Sequence, residues 1–332
     1  MSASTKFGYC VPIFANPGAA YFRTPRWTEL DPRLAVAAAV EAERLGYDSV
    51  WVADHLMHGF DDGIMEGWTT LSVIAGQTST IQLGSIHMAQ PFRHPAIAAK
   101  MAATLDALSG GRLIFFYDCG WQEAEVRAYG LDWPPEEERI ARMEEGLELI
   151  TALWSAHEPL NFTGTYFHTK EAMCRPAPVK RPPIWLGEIH SGPWLDAVVR
   201  HADGWNSTPA SIAALHQRIE ALKAACQRAG RDFSELELSL EIQILVGPTH
   251  KEVRQIAREI AELPLSKRGS PRQDILDKLK GGDGPLTVDD WLIGTPDEVR
   301  TQLQAYEQLG VTHFMLWFVD FPSLDGMRLF MQ

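Results

Sequence analysis

Eight short β-rich runs alternate with helical stretches along this chain, and that alternation constrains its fold more than any other feature. The runs are 7–14 (FGYCVPIF), 49–53 (SVWVA), 81–88 (IQLGSIHM), 113–117 (LIFFY), 183–187 (PIWLG), 204–206 (GWN), 236–246 and 313–319 (HFMLWFV). Most are continuously apolar, as strands buried on both faces of a parallel sheet must be. Between them, apolar residues recur at helical spacing over 31–45, 68–78, 95–108, 136–154, 193–201, 212–229, 250–263 and 296–309. Gly46 and the pair Gly110-Gly111 close two of these stretches. Such alternation specifies an α/β protein. Eight repeats within 332 residues favour closure into a (β/α)8 TIM barrel with insertion segments. A doubly wound open sheet is the alternative, but it calls for a GxGxxG turn after the first strand, which this sequence lacks. The chain reads as a single domain over 1–332. One stretch breaks the rhythm: 265–287 is rich in Gly, Pro and charge, and reads as a mobile insertion.

Charge narrows the partners. Lys and Arg number 30 against 43 Asp and Glu, a formal net charge of −13. An acidic surface repels phosphate backbones and anionic bilayers, so neither nucleic acid nor membrane is an expected partner. No apolar run approaches the roughly 18 residues of a membrane span, and the N-terminal MSASTKFGYC has no apolar signal core. Cys10, Cys119, Cys174 and Cys226 are scattered without a CxxC pair, which reads as reduced thiols in a cytoplasmic protein.

In a barrel of this type, chemistry sits at the C-terminal ends of the strands. Asp54 and His55 follow the second run, Gln90, Arg93 and His94 the third, and residues 118–122 the fourth. The segment GEIHSG (187–192) follows the fifth, and Asp320 the eighth. Each has a plain structural reading beside the functional one. Asp54 could cap a helix, and Arg93 and His94 stand just before Pro95, which suits a helix start. His87, inside the third run, reads as a packed core histidine. His55 and His58 are three apart, but nothing completes a ligand set, so no metal is expected. Ser191 and Gly192 precede Pro193, which opens a helix whose free N–H groups could cradle a phosphate. Trp51, Trp121, Trp133, Trp185, Trp205 and Trp317 fall on or just after strands; any that reach the mouth would suit a flat ring system.

Seven segments together resemble the bacterial luciferase-like flavin monooxygenases and their deazaflavin-dependent relatives. They are GYDSVWVADH (46–55), EGWTTL (66–71), RHPAIAAKMAATLDALSGGR (93–112), GWQEAEVRAYG (120–130), HADGWN (201–206), IGTPDEVRTQL (293–303) and HFMLWFVDFP (313–322). The resemblance implies a (β/α)8 barrel holding a flavin at its C-terminal mouth. It implies a cis bond or bulge beside the ring near Ala89-Gln90, and a cofactor lined by Phe14, Gly120, Trp121 and Gly187. Ser191 and Gly192 would hold its phosphate, although GEIHSG stands where many relatives have a glycine-rich run. His55 is implied as proton donor or base, Asp54 as its neighbour by the reacting face, and Arg93 as an anchor for a substrate anion. The 265–287 insertion would serve as a lid.

Two chemistries follow from the resemblance. In the first, reduced FMN from a separate flavin reductase reacts with O2 and oxygenates a small organic substrate. In the alternative, the deazaflavin coenzyme F420 exchanges hydride with the substrate without oxygen. A barrel that binds flavin without turnover is a third reading. The resemblance also implies a homodimer or higher homo-oligomer, for which the amphipathic stretch 136–154 offers a face.

Overall fold

The structure, a computed structural model, describes residues 5–188, 193–265 and 270–332. Eight strands form the barrel: β1 (Lys6–Cys10), β2 (Ser49–Ala53), β3 (Gln82–Ile86), β4 (Leu113–Asp118), β5 (Ile184–Glu188), β6 (Gly204–Ser207), β7 (Glu237–Val246) and β8 (His313–Phe318). Each pairs in parallel with the next. β8 then pairs with β1, placing His313 opposite Lys6 and Leu316 opposite Tyr9, and the ring closes. The (β/α)8 expectation therefore holds, and the open-sheet alternative does not.

The strands form where the sequence supplies unbroken apolar runs, because both faces are covered: every residue of β2 and β4 is buried. Helices form the outer layer: α1 (Pro32–Leu45), α2 (Gly67–Gln77), α3 (Pro95–Ser109), α4 (Glu123–Ala128), α5 (Glu136–Ser155), α6 (Pro193–His201), α7 (Ile212–Ala229), α8 (His250–Glu262), α9 (Gln273–Leu279) and α10 (Pro296–Glu307). Their ends follow local chemistry. The Asp31 carboxylate accepts the Arg33 N–H at 2.8 Å to start α1, and Gly46 stops it at φ 91°. Thr295 and Glu298 form a reciprocal capping box on α10. The apolar stripe of α5 packs on α3 and α6 of the same chain.

The barrel interior is plugged by Trp51 and Trp185, whose ring centroids lie 5.1 Å apart. A Cβ on Gly84 would collide with the Trp51 ring, and one on Gly204 with the Trp185 indole, so glycine is required where these rings cross neighbouring strands. Below them, the buried His313 Nε2 bonds Ser49 Oγ at 2.7 Å. His313 Nδ1 lies 3.4 Å from Glu237. This serine–histidine–glutamate set sits at the N-terminal floor, where barrels keep stability rather than chemistry.

The 265–287 stretch differs from its expected form. It contains α9, and Arg254, 5% exposed, ties the segment down through the carbonyls of Lys278, Gly284 and Pro285. Ile275, Leu279 and Leu286 join Tyr21, Ala257 and Trp291 in a second apolar cluster beside the barrel. α9 is seven residues long, too short to announce itself by periodicity. Among the described residues, none of this segment lines the cavity at the barrel mouth. Residues 266–269 lie outside the described residues. No described helix is long and apolar enough to cross a membrane.

Candidate active site

The C-terminal mouth holds a cavity of about 180 Å³. Its wall combines Ala53 and Ile86 at two strand ends, the rings of Phe14, Phe22, Trp121 and Trp317, and the polar side chains Arg23, His55, His58, His87, Thr208 and Glu241. Mostly apolar walls with a few convergent polar groups are the usual form of a small-molecule site.

His55 is the expected residue that the structure places most directly. It leaves β2 and turns its ring onto the cavity. Its Nδ1 lies 2.6 Å from the Glu125 Oε1. Glu125, at the start of α4, is 2% exposed, and its other oxygen accepts the N–H groups of Leu56 at 2.8 Å and Met57 at 3.1 Å. One buried carboxylate therefore fixes both the imidazole and the loop that carries it. With Nδ1 committed, Nε2 is the nitrogen left for the cavity. The His55 ring stacks on His58 at 4.8 Å and meets the edge of Trp121 at 5.2 Å.

His87 departs from its expected place in the core. Gly84 pairs with Ile114, but Met88 pairs with Tyr117. Three residues on the β3 side thus face two on β4, a one-residue bulge. The irregularity expected near Ala89-Gln90 falls here instead, at 85–87, and the Ala89–Gln90 bond is not cis. The bulge re-aims His87 into the cavity wall. Its Nε2 is buried with no hydrogen-bond partner, and burial holds the imidazole below its ordinary range against the pull of Asp118. An orphaned donor or acceptor beside the apolar Ala53 and Ile86 fits a flat heterocycle with a polar edge. Gly187 belongs to the same corner: a Cβ there would stand 3.5 Å from His87 Nε2 and 3.2 Å from the Phe116 ring.

Across the cavity, Arg23 Nη1 lies 2.9 Å from Glu241 Oε1. The Trp317 indole N–H donates to that same oxygen. The loop carrying Arg23 is strained: Tyr21 and Arg23 have φ of 46° and 58°, each costing roughly 1–2 kcal/mol for a residue with a Cβ. Gln243 holds it there, accepting the Arg23 N–H and donating to the Tyr21 carbonyl, both at 2.8 Å. The Tyr21 hydroxyl is tied to the Ala257 carbonyl at 2.7 Å. Sequence reading gave no role to Glu125, Arg23 or Glu241. A carboxylate in the middle of an otherwise buried strand, with Glu237 only at its edge, is the signal for Glu241.

Asp54 and Arg93 meet each other. Arg93 Nη1 and Nη2 bond the two Asp54 oxygens at 2.7 and 2.9 Å, and Nη2 also reaches Glu66 at 2.6 Å. Asp54 further accepts the Ala89 N–H at 3.0 Å, while Glu66 caps α2 through the Trp68 and Thr69 N–H groups. This latch ties β2, α2 and the bulged strand together behind the cavity wall. The terminal nitrogens of Arg93, expected as a substrate anchor, are committed to these two carboxylates, and the residue does not line the cavity. Ala89 and Gln90 are buried beside the latch and do not line the cavity. Gly120, at φ 82°, makes the turn after β4, where a Cβ would stand 3.1 Å from Pro91. Phe14 and Trp121 do line the cavity. Ser191 and Gly192 lie outside the described residues.

The model of the luciferase-like monooxygenase family matches residues 5–313. An F420-dependent glucose-6-phosphate dehydrogenase of Nakamurella multipartita is 30% identical over 289 residues, 83% of this chain and 84% of its own. The enzyme of the same name from Amycolatopsis mediterranei is 28% identical over 298 residues, 86% of this chain and 89% of its own. Among solved structures, an F420-dependent secondary alcohol dehydrogenase in complex with an F420–acetone adduct superposes with a TM-score of 0.75 at 21% identity, covering 99% of this chain and 98% of its own. At that identity the likeness speaks for the fold alone.

Proposed function

The chain belongs to the luciferase-like monooxygenase family, and on that premise we propose that it is an F420-dependent oxidoreductase interconverting an alcohol and a carbonyl compound. The observation that carries this reading is the His55–Glu125 pair at the cavity wall. A dehydrogenation needs two things at once: a hydride acceptor beside the carbinol carbon, and a base for the hydroxyl proton. F420, when bound, supplies the hydride acceptor, or the donor in the reverse direction. His55 Nε2 supplies the base, and Glu125 keeps the ring in the tautomer with its proton on Nδ1 while stabilising the imidazolium that forms. In reduction, the same imidazolium returns the proton to the carbonyl oxygen.

The residues present fit the coenzyme's flat ring. Ala53 and Ile86 leave an apolar face, the buried rings of Phe14 and Trp317 extend it, and the His87 Nε2 offers a partner to a polar ring edge. The two dehydrogenases at 28% and 30% identity support F420 over reduced FMN and O2. The two-component monooxygenase, with its separate reductase, is therefore the less supported of the two expected chemistries. A non-catalytic barrel has no need of a carboxylate-held imidazole at its mouth.

Titration of the purified protein with F420 and with FMN under nitrogen tests the cofactor. The expected result is F420 binding at least about tenfold tighter; tight FMN binding with none of F420 would overturn the reading.

A further inference from the structure

One charged pair of the cavity has no part in proton transfer. Arg23 and Glu241 face it from the loop after β1 and from β7, across the mouth from His87 and the bulge. Both are sequestered, with side-chain exposures of 13% and 3%. Arg23 Nη1 is 2.9 Å from Glu241 Oε1, off hydrogen-bond geometry and with no hydrogen-bond partner, and its Nε and Nη2 bond no described residue. The guanidinium is otherwise held by ring faces, 4.9 Å from the Phe22 centroid and 5.5 Å from that of Trp317. Glu241 Oε1 already serves Trp317 and Arg23; its Oε2 bonds nothing among the described residues. The pair thus presents unused donors and an unused acceptor side by side, on a loop whose strained backbone is locked by Gln243. Strain held in place this way points to a site.

We infer that Arg23 and Glu241 recognise the non-reacting end of the substrate, and that this end is a neutral group with an acceptor beside a donor, such as a carboxamide, lactam or ureide. The C=O accepts from Arg23 while the N–H donates to Glu241, giving two charge-assisted hydrogen bonds in a desolvated setting. An anion gains much less. Arg23 is the one Lys or Arg side chain among the described residues lining the cavity, and its charge is cancelled by a carboxylate that would repel a second one. The phosphate named in the relatives' substrate has no counterpart here among the described residues. The aromatic neighbours Phe22 and Trp317 suit a flat body next to the amide. Discrimination follows the general rule that a site built to hydrogen-bond rejects the analogue that leaves its buried groups unpaired.

This inference rests on the cavity being a substrate site, not on the identity of the coenzyme. The test uses benzamide, benzoate and glucose 6-phosphate as probes, followed by indole fluorescence on the protein loaded with whichever of F420 or FMN it binds. Benzamide is expected to bind at least about tenfold tighter than either anion. Glu241→Gln, nearly isosteric, should reverse the order of benzamide and benzoate and leave coenzyme affinity unchanged. Arg23→Lys should weaken benzamide at least about fivefold. Preference for benzoate or glucose 6-phosphate in the wild type, or no change of order in Glu241→Gln, overturns the inference. If the benzamide preference holds on an FMN-loaded protein, the recognition pair stands and the F420 reading falls.

Discussion

His55 Nδ1 and Glu125 Oε1 lie 2.6 Å apart, although 70 residues separate them in the chain. The contact joins the end of β2 to the first turn of α4. Because the same carboxylate holds the Leu56 and Met57 N–H groups, it cannot swing away without releasing the loop. Its role is to position the imidazole, not to meet the substrate.

Replacing Glu125 by Gln keeps the volume but removes the charge that orients the ring. Turnover should fall by about 100-fold or more, toward the roughly 10⁴-fold loss that follows when an amide replaces the carboxylate orienting a catalytic histidine. KM should stay within about threefold, since the substrate does not touch Glu125. Steady-state kinetics with a circular-dichroism control checks this; a raised KM with unchanged kcat would place Glu125 in binding instead.

Arg93→Ala would leave the Asp54 carboxylate buried and unpaired. The expected loss of stability is about 3–5 kcal/mol, read by chemical denaturation. Asp54→Asn combined with Arg93→Met should recover part of that loss, because no charge is then stranded. If Arg93→Ala instead raised KM for an anionic substrate at wild-type stability, the latch would be the wrong account.

Asp320, just after β8, is 2% exposed, and one oxygen has no partner. Burial pushes its pKa from 3.8 up to about 6, although the Gly326 N–H opposes this. A carboxyl raised in the folded state favours folding below its unfolded pKa, and that contribution is lost as pH climbs through about 6. Asp320→Asn should therefore help stability at about pH 8 more than at about pH 4, by up to roughly 3 kcal/mol. Denaturant midpoints at the two pH values decide it, and an equal effect at both would contradict the buried-acid account.

The barrel was readable because its strands are apolar on both faces. The run 49–53 matches β2 residue for residue, and the remaining strand bounds move by a few residues at most, except that β1 ends at Cys10 rather than Phe14. What escaped depends on pairing across the fold. His87 sits in a run that reads as core, and only the register against β4 creates the bulge that turns it to the cavity. Asp54 and Arg93 were found as polar residues at strand ends, but nothing local says that they neutralise each other. Glu125 lay inside a segment whose resemblance was noted, with its partner 70 residues away. Arg23 reaches the cavity because Gln243, on β7, holds its backbone in a conformation that no local pattern specifies.

The central claim is that His55 moves the proton in a hydride transfer that needs no oxygen. Its most direct measurement is an anaerobic single turnover of F420-loaded protein with mandelamide, mandelate, 1-phenylethanol and glucose 6-phosphate, in the wild type and in His55→Asn. The account predicts a change of F420 absorbance with at least one of these alcohols in the wild type. It predicts a rate at least about 100-fold lower in His55→Asn, with F420 affinity unchanged. Wild-type rates in His55→Asn, or turnover that appears only with reduced FMN and O2, would contradict it.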